Sequence, residues 1–514
     1  QETVLRRMVE EGYISEDEAE GGKKQELEYA EVEAPKAPHF ALWIKEQLAE
    51  KYGERMVEQG GLRVTTTLDL ELQEFAQEAV AAEVSEIAQY DVGNGAALVT
   101  RPKTGEILAM VGSKDYFAED EDGKVNIIFA RRQPGSSIKP LNYTLAIRDE
   151  KVTASTPLAD VPTCFSVVGQ PGYCPRNYDF EFHGHQQARF ALGNSFNIPA
   201  VRVLALNGIE NFIDFAQDVG ITTFTDPSNY GLSLTLGGGE VRPYDMAVAF
   251  GTLANQGIKQ DLVAIKKVED WRGNVLEENE IEELTGERVI EPEAPYIVSH
   301  ILLDNNARTA AFGAGSFLNV SGHPEVSVKT GTTNDRRDNW TIGYTELATV
   351  VTWVGNNDNS PMSGAVSGVS GASPIWNAIM REVLDKAEEG FYEENEEGHA
   401  WPRQPSGVVG ANICSDTGNL PGGSEEDPGC PTRFEYFLES KVGAAIEAGQ
   451  KDLQIDKTTG ALAGPDIPPE NIEPQGHPFL IDPLGTLVCL DCAMPGWEAA
   501  ISYPLRISSK NTDL

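Results

Sequence analysis

The stretch RRQPGSSIKPLN, residues 131–142, decides how this chain is read. It carries Ser136, two intervening residues and Lys139, and no other serine in the chain has a lysine three positions on. Pro134-Gly135 is a turn signal, and the LNYTLAI that follows has apolar residues at helical spacing. Pro140 suits only the first turn of a helix, where backbone N–H groups lack partners anyway. The spacing therefore predicts a helix starting close to Ser136. At such a start, free N–H groups and the helix dipole favour developing negative charge. Lys139 falls on the same face one turn along, so a weak nucleophile sits beside a group able to act as its base. An exposed helix start with a solvated lysine is the alternative, and the rest of the chain decides between them.

The chain has 514 residues, enough for two to four domains, and is 40% hydrophobic. Its 80 acidic and 40 basic residues give a formal charge of −40. Such a surface repels nucleic acid and anionic headgroups, so neither is an expected partner. No apolar run of 18 residues and no signal peptide is present. The chain starts with Gln1, so it reads as a fragment or processed form with any membrane anchor outside it. The six cysteines fall into the close pairs Cys164/Cys174, Cys414/Cys430 and Cys489/Cys492. An even count in local pairs suits an oxidising, extracytoplasmic compartment, although sequence cannot choose among the possible pairings. A metal site at Cys489-Leu-Asp-Cys492 is the rival reading, but no second CxxC or His pair accompanies it.

Residues 1–60 read as acidic helices, including a Ser15-capped start and an amphipathic FALWIKEQLAEKYG. A charged linker, Glu31–His39, lies between them. RVTTTL is β-branched, and Asp69 caps a long helix after it. AALVTRP and EILAMVG form a hairpin with Lys103-Thr104-Gly105 at its tip. Residues 151–187 are loop-rich. ARFALGN is a short helix, Ser195-Phe196-Asn197 interrupts it, and Pro199 opens the next helix. TLGGGEVRP is a Gly-rich loop before a helix closed by Gly257. A hairpin turning at Asp270–Asn274 and the helix APYIVSHILLD follow. EVSVKTGTT is a strand, NWTIGYTELATVVTWVG gives two more, and PIWNAIMREVLDKA is a helix. Glu388–Glu397 is an acidic boundary, and the tail beyond Trp401 is rich in Pro and Gly.

Three motifs now stand in order: Ser136-x-x-Lys139, Ser195-x-Asn197 and Lys329-Thr330-Gly331-Thr332. A second KTG at 103–105 precedes Ser136 and ends in Glu106, whose charge would repel an anionic substrate. A second S-x-N, Ser509/Asn511, lies beyond the KTG near the terminus. The ordered trio is shared by serine β-lactamases and penicillin-binding proteins. The chain resembles the transpeptidase part of a class A, bifunctional penicillin-binding protein. RRQPGSSIKP, RFALGNSFNIPAV, TLGGGEVRPYDMA and VKTGTTNDRRDNWTIGY are each similar to that family's strings. GGLRVTTTLDLELQ resembles its interdomain linker, and VLRRMVEEGYISEDEAE resembles the last helices of its glycosyltransferase domain. The likeness covers residues 1–390, more loosely to 440. The tail has none, although YPLRISS could open a small β domain.

The resemblance implies an α+β fold, an antiparallel sheet flanked by helices with a helical subdomain. Strands at 96–112 and 326–355, separated by a long helical insertion, agree with that class. It divides the chain into 1–60, a glycosyltransferase remnant and linker; 61–390, the transpeptidase domain; and 391–514, an acidic, Cys-, Pro- and Gly-rich extension. The glycosyltransferase's catalytic carboxylates would precede Gln1, so glycan polymerisation is not expected. The implied substrate is a peptidoglycan stem peptide ending in D-Ala-D-Ala, with an amine acceptor. Ser136 would form the acyl-enzyme and Lys139 accept its proton, with its pKa lowered by the like charge of Lys329. Ser195 would relay a proton to the leaving amine, and Asn197 would orient Lys139. Backbone N–H groups of Ser136 and Thr332 would form the oxyanion hole. Thr330, Thr332 and Lys329 would hold the terminal carboxylate beside Gly331. β-Lactams are implied as covalent inhibitors, no metal or organic cofactor is implied, and the full-length protein would be membrane-anchored outside the cytoplasm. Asp338 and Trp340 read as structural, and the seven histidines, His183 and His185 included, as loop residues rather than ligands. A D-Ala-D-Ala carboxypeptidase or β-lactamase, and a non-catalytic β-lactam sensor, are the alternatives.

Overall fold

The computed structural model describes all residues except 26–33, 120–121, 167–171, 334, 365, 389–400, 423–428, 465–466, 498–499 and 505–514. The start of the expected linker, residues 31–33, nearly all of the acidic Glu388–Glu397 segment, and the end of YPLRISS with Ser509/Asn511 lie outside the described residues. The chain forms two compact units, Gln1–Lys36 and Ala37–Leu514. The first holds the helices Glu2–Glu10 and Glu16–Lys23. Ser15 and Glu18 close a reciprocal capping box on the second helix, as the sequence spacing predicts.

The second unit is built on a five-stranded antiparallel sheet. Its order is Ser327–Thr332, Asp338–Tyr344, Thr349–Gly355, Asn94–Thr100, Ile107–Val111. These strands are buried on both faces, which is why their sequences read as continuous apolar runs rather than alternating ones. The pleat still sorts them. Ala97 and Val99 join the cluster under the helices Leu70–Ile87 and Ala372–Glu388. Ala96 and Leu98 face the opposite cluster with Leu141, Val201 and Phe250. Asp69 caps the first of those helices by accepting from the Leu72 N–H at 3.1 Å. Leu72, Ala76, Val80 and Val84 then recur every four residues along its buried face.

Trp340 and Trp353 sit opposite each other in register and are fully buried. The Trp340 indole donates to Gln133 O at 2.8 Å, and Trp353 donates to the Asp338 carboxylate at 3.0 Å. Both residues of the DNW string that read as structural therefore brace the sheet against the segment leading to Ser136.

The tail is folded onto this unit. Hairpin Val408–Cys414/Thr432–Leu438 supplies Glu435, whose carboxylate accepts from Arg189 Nε at 2.8 Å. A three-stranded meander of Ala448–Asp456, Ile472–Ile481 and Leu487–Cys489 leads to Asp482, which accepts from Arg202 Nε at 2.7 Å. Strand Ile501–Pro504 lies parallel to Thr163–Ser166. All three cysteine pairs are disulfide-bonded: Cys164–Cys174, Cys414–Cys430 and Cys489–Cys492. Among the described residues, no helix is long and apolar enough to cross a membrane.

Candidate active site

Gly135–Ile138 is a 3-10 turn, and the α-helix proper runs Lys139–Arg148. The helix expected near Ser136 thus begins with a tighter turn, for a reason visible in Pro140. An α-helix would need the residue-140 N–H to reach Ser136 O, and proline has none. The Lys139 N–H donates to Ser136 O instead, an i to i+3 bond. In a 3-10 turn, residues three apart eclipse, so Ser136 and Lys139 stand on one edge. Ser137 is occupied structurally, since its N–H and hydroxyl both donate to Pro134 O, at 3.2 and 2.7 Å. Ser136 is the half-buried serine of the pair.

The second motif sits on the link between helices Ala188–Gly193 and Asn197–Asn207. The later helix opens at Asn197, two residues before the expected Pro199. Ser195 has φ +62°, a left-handed conformation that ends the first helix sharply. Its N–H donates to Leu192 O at 3.1 Å, and the Phe196 N–H donates to Ala191 O at 3.0 Å. Lys139 Nζ reaches this link, donating to Ser195 O at 2.6 Å, Asn197 Oδ1 at 2.8 Å and Phe196 O at 3.2 Å. Ser195 Oγ lies 3.4 Å from the same nitrogen. Among the described residues Lys139 makes no hydrogen bond to Ser136 Oγ, and in ligand-free sites such bonds often close only with substrate.

The third motif lies on the edge strand Ser327–Thr332. Strand alternation sends Lys329 to one face and Thr330 and Thr332 to the other. Lys329 Nζ donates to Ser195 Oγ at 2.8 Å and to Thr330 O at 2.9 Å. Gly331 follows the Lys329 side, where a Cβ would stand 2.2 Å from Pro134 O. Only glycine lets the strand close on the nucleophile turn. Gly135 answers it at φ +54°, where a Cβ would stand 2.6 Å from Thr332 O. Thr332 Oγ1 accepts from the Gly368 N–H at 2.9 Å, which leaves its own proton free to donate elsewhere. The other KTG sits at its hairpin tip, with Glu106 paired to Arg101 at 2.8 Å and Lys266 at 2.7 Å.

Lys139 has no exposed surface. Burial, then the charge of Lys329, holds its amine well below the ordinary lysine range, while Asp160 opposes them. The like-charge effect expected from the motifs is therefore present but second to desolvation. Burial alone pushes Lys329 down to about 7.

Sequence reasoning missed a cluster beside Asn197. Asp160 is fully buried and accepts from Asn177 Nδ2 at 2.8 Å and from the His183 N–H at 3.1 Å. The His183 ring, read as a loop residue, meets the same carboxylate through Nδ1 at 2.7 Å and stacks on Phe196 with centroids 4.0 Å apart. No local periodicity marks these three residues.

The family model for the penicillin binding protein transpeptidase domain matches residues 95–381, more than half of the chain. Penicillin-binding protein 2D of Bacillus subtilis (strain 168) is 30% identical over 471 residues, covering 89% of this chain and 63% of that protein. Penicillin-binding protein 1B of Vibrio cholerae is 29% identical over 385 residues, covering 74% of this chain and 48% of its own length. The chain thus spans less than two thirds of the length of these curated relatives. Penicillin-binding protein 1A from Haemophilus influenzae superposes with a TM-score of 0.68 at 21% identity, covering 86% of this chain and 81% of that one, a likeness of fold. Turn, link and edge strand meet inside the matched span, and the chain belongs to the penicillin-binding protein transpeptidase family, as the transpeptidase portion of a class A member.

Proposed function

We propose that this chain is a peptidoglycan D,D-transpeptidase that works through a Ser136 acyl-enzyme. The observation that carries the reading is Lys139: a fully buried amine, held by residues 195–197, one 3-10 turn from Ser136 and with its pKa driven down by burial and by Lys329. A neutral amine there can accept the serine proton. Ser136 Oγ attacks the carbonyl before the terminal D-Ala, and its proton passes to Lys139. The tetrahedral oxyanion is held by the N–H groups of Ser136 and Thr332, a reading supported by how tightly the Gly135 turn packs on the Thr332 backbone. Ser195, hydrogen-bonded to Lys329 and 3.4 Å from Lys139 Nζ, hands its proton to the departing D-Ala amine and takes the one Lys139 holds. The C–N bond breaks and the acyl-enzyme remains. The hydroxyls of Thr330 and Thr332 bind the terminal carboxylate, with Lys329 supplying positive field and Gly331 giving clearance. A second stem peptide's amine then attacks the ester and gives up a proton to Lys139; the ester C–O bond breaks, the crosslink forms, and Ser136 takes its proton back from Lys139.

The donor and acceptor lie outside the cytoplasm, in keeping with three disulfides. The reaction as proposed draws on no metal or organic cofactor. Incubation with a D-Ala-D-Ala donor and an amine acceptor, followed by product analysis, tests it. A crosslinked dimer is expected. Free D-Ala with hydrolysis alone would make the chain a carboxypeptidase-type hydrolase, and a stable adduct with no turnover would make it a sensor.

A further inference from the structure

The link that carries Ser195 and Asn197 is supported from outside the two helices it joins. Its first residue is in a left-handed conformation, and three of its acceptors are engaged by one lysine. Support comes from the segment that precedes the short helix. The Asn197 N–H donates to Asn177 Oδ1 at 2.8 Å, and Asn197 Nδ2 donates to Arg176 O at 2.7 Å. Asn177 is itself buried and spends its amide on both oxygens of Asp160, at 2.9 and 2.8 Å, and on Glu181 O at 2.9 Å. Asp160 takes its last partner from His183 Nδ1, and the His183 ring lies flat against Phe196 at an interplanar angle of 18°. Of the residues of the link that touch Lys139, Asn197 is thereby backed by a buried amide and Phe196 by an imidazole.

We propose that Asp160, Asn177 and His183 are positioning residues of the acylation step, a buried carboxylate–amide–imidazole cluster that sets where Asn197 and the Phe196 carbonyl hold Lys139 and how much of the Asp160 charge Lys139 feels. The proposal rests on the Ser136 acyl-enzyme reading above. Asn177 carries the geometry, because among the described residues it alone bridges the Asp160 carboxylate to the Asn197 backbone. The Asp160–His183 pair carries the electrostatics. Asp160 stabilises the Lys139 ammonium, and a protonated His183 offsets that field. The charged groups facing His183 are Asp160 at Nδ1 and the half-exposed Asp179 at Nε2, 3.1 Å away. Those facing Lys139 are Lys329, across Ser195, and Asp160. Tyr143, also near Asp160, stays neutral because burial raises its pKa.

The test uses the full chain and a fluorescent penicillin, with the rate of Ser136 acylation measured against pH and the melting temperature measured alongside. Asn177→Ala should slow acylation at saturating drug about tenfold or more, with little change in initial binding. Asp160→Asn should move the acid limb of the profile to lower pH, because the Lys139 ammonium loses a counter-charge. His183→Phe keeps a ring on Phe196 but leaves Asp160 uncompensated, so its limb should move to higher pH. A merely structural role would not move the two limbs in opposite directions. Limbs that stay put or move together, or an Asn177→Ala rate within about twofold of wild type, would overturn the proposal. Should Asp160→Asn fail to fold, the Asn177 and His183 arms decide it. Failure of the acyl-enzyme reading is distinct, since wild type itself would then form no adduct on Ser136.

Discussion

Lys139 and Lys329 approach the same hydroxyl from two sides: Ser195 Oγ lies 3.4 Å from the first nitrogen and 2.8 Å from the second. Two buried amines around one small oxygen cannot both be comfortably charged. On the proposed reading the two amines have separate tasks, Lys139 as the base and Lys329 as the partner of the substrate carboxylate.

Replacing each amine should separate these tasks. Lys139→Ala leaves Ser136 without a base, and acylation should fall by about 100-fold or more. Lys329→Ala should chiefly weaken recognition of the carboxylate, appearing in the concentration dependence before the limiting rate. Stopped-flow acylation with a chromogenic β-lactam reads both, and wild-type rates in both variants would show the roles to be wrongly assigned.

Penicillin should form a long-lived adduct on Ser136. The drug pairs a strained amide with a carboxylate, and its displaced amine stays tethered after ring opening, where it blocks the acceptor's path. Intact mass followed by peptide mapping checks this. Because the Ser137 hydroxyl is committed to Pro134 O, a label on Ser137 would contradict the site geometry. Rapid clearance of the drug would point to a hydrolase.

Asp482→Asn should destabilise the chain by about 3 kcal/mol or more, because it strands a buried guanidinium. Arg202 and Asp482 have no exposed side-chain surface, and their atoms approach to 2.6 Å. The double change Arg202→Met with Asp482→Leu should recover much of the loss, since replacing both members of a buried pair by apolar groups is often tolerated. Urea midpoints measure it. Equal destabilisation by the single and double variants would mean that packing, not charge, holds the tail.

Acid should weaken the fold well before the carboxylates titrate. Burial pushes His39, against Ser113 Oγ at 2.9 Å, down to about 4, and it pushes His300 to about 4 with help from Arg189. Unfolded histidine titrates near ~6.5. In between, the unfolded chain binds more protons, so stability rises with pH and is lost as pH falls through that window. Each ring accounts for up to about 3 kcal/mol. Denaturation midpoints at several pH values should show the loss, and His39→Gln should flatten it. A variant with the wild-type slope would remove His39 from the account.

What could be read from the sequence was local. Ser136 and Lys139, Ser195 and Asn197, and Lys329 to Thr332 each sit within one turn or one strand, so a fixed spacing reports them. The 3-10 opening at Gly135 escaped because the helix pattern and Pro140 agree on a start without stating its pitch. Asp160, Asn177 and His183 escaped for a different reason: each finds its partner across a loop, and an Asp, an Asn and a His among turn residues look like solvated ones. The tail was illegible in the same way. Its strand Ala448–Asp456 is largely exposed, and nothing in the string distinguishes Asp482 as the counter-ion of a core arginine.

The parallel pairing of Ile501–Pro504 with Thr163–Ser166 imposes an order on biogenesis. During synthesis Thr163–Ser166 emerges well before Ile501–Pro504 and waits for it. Thr163–Ser166 follows Asp160 closely in sequence and carries Cys164, so this late pairing is made beside the segment that leads to the Asp160 cluster. Contacts so distant along the chain form slowly. A chain stopped short of Ile501 would hold all three motifs and still lack this pairing.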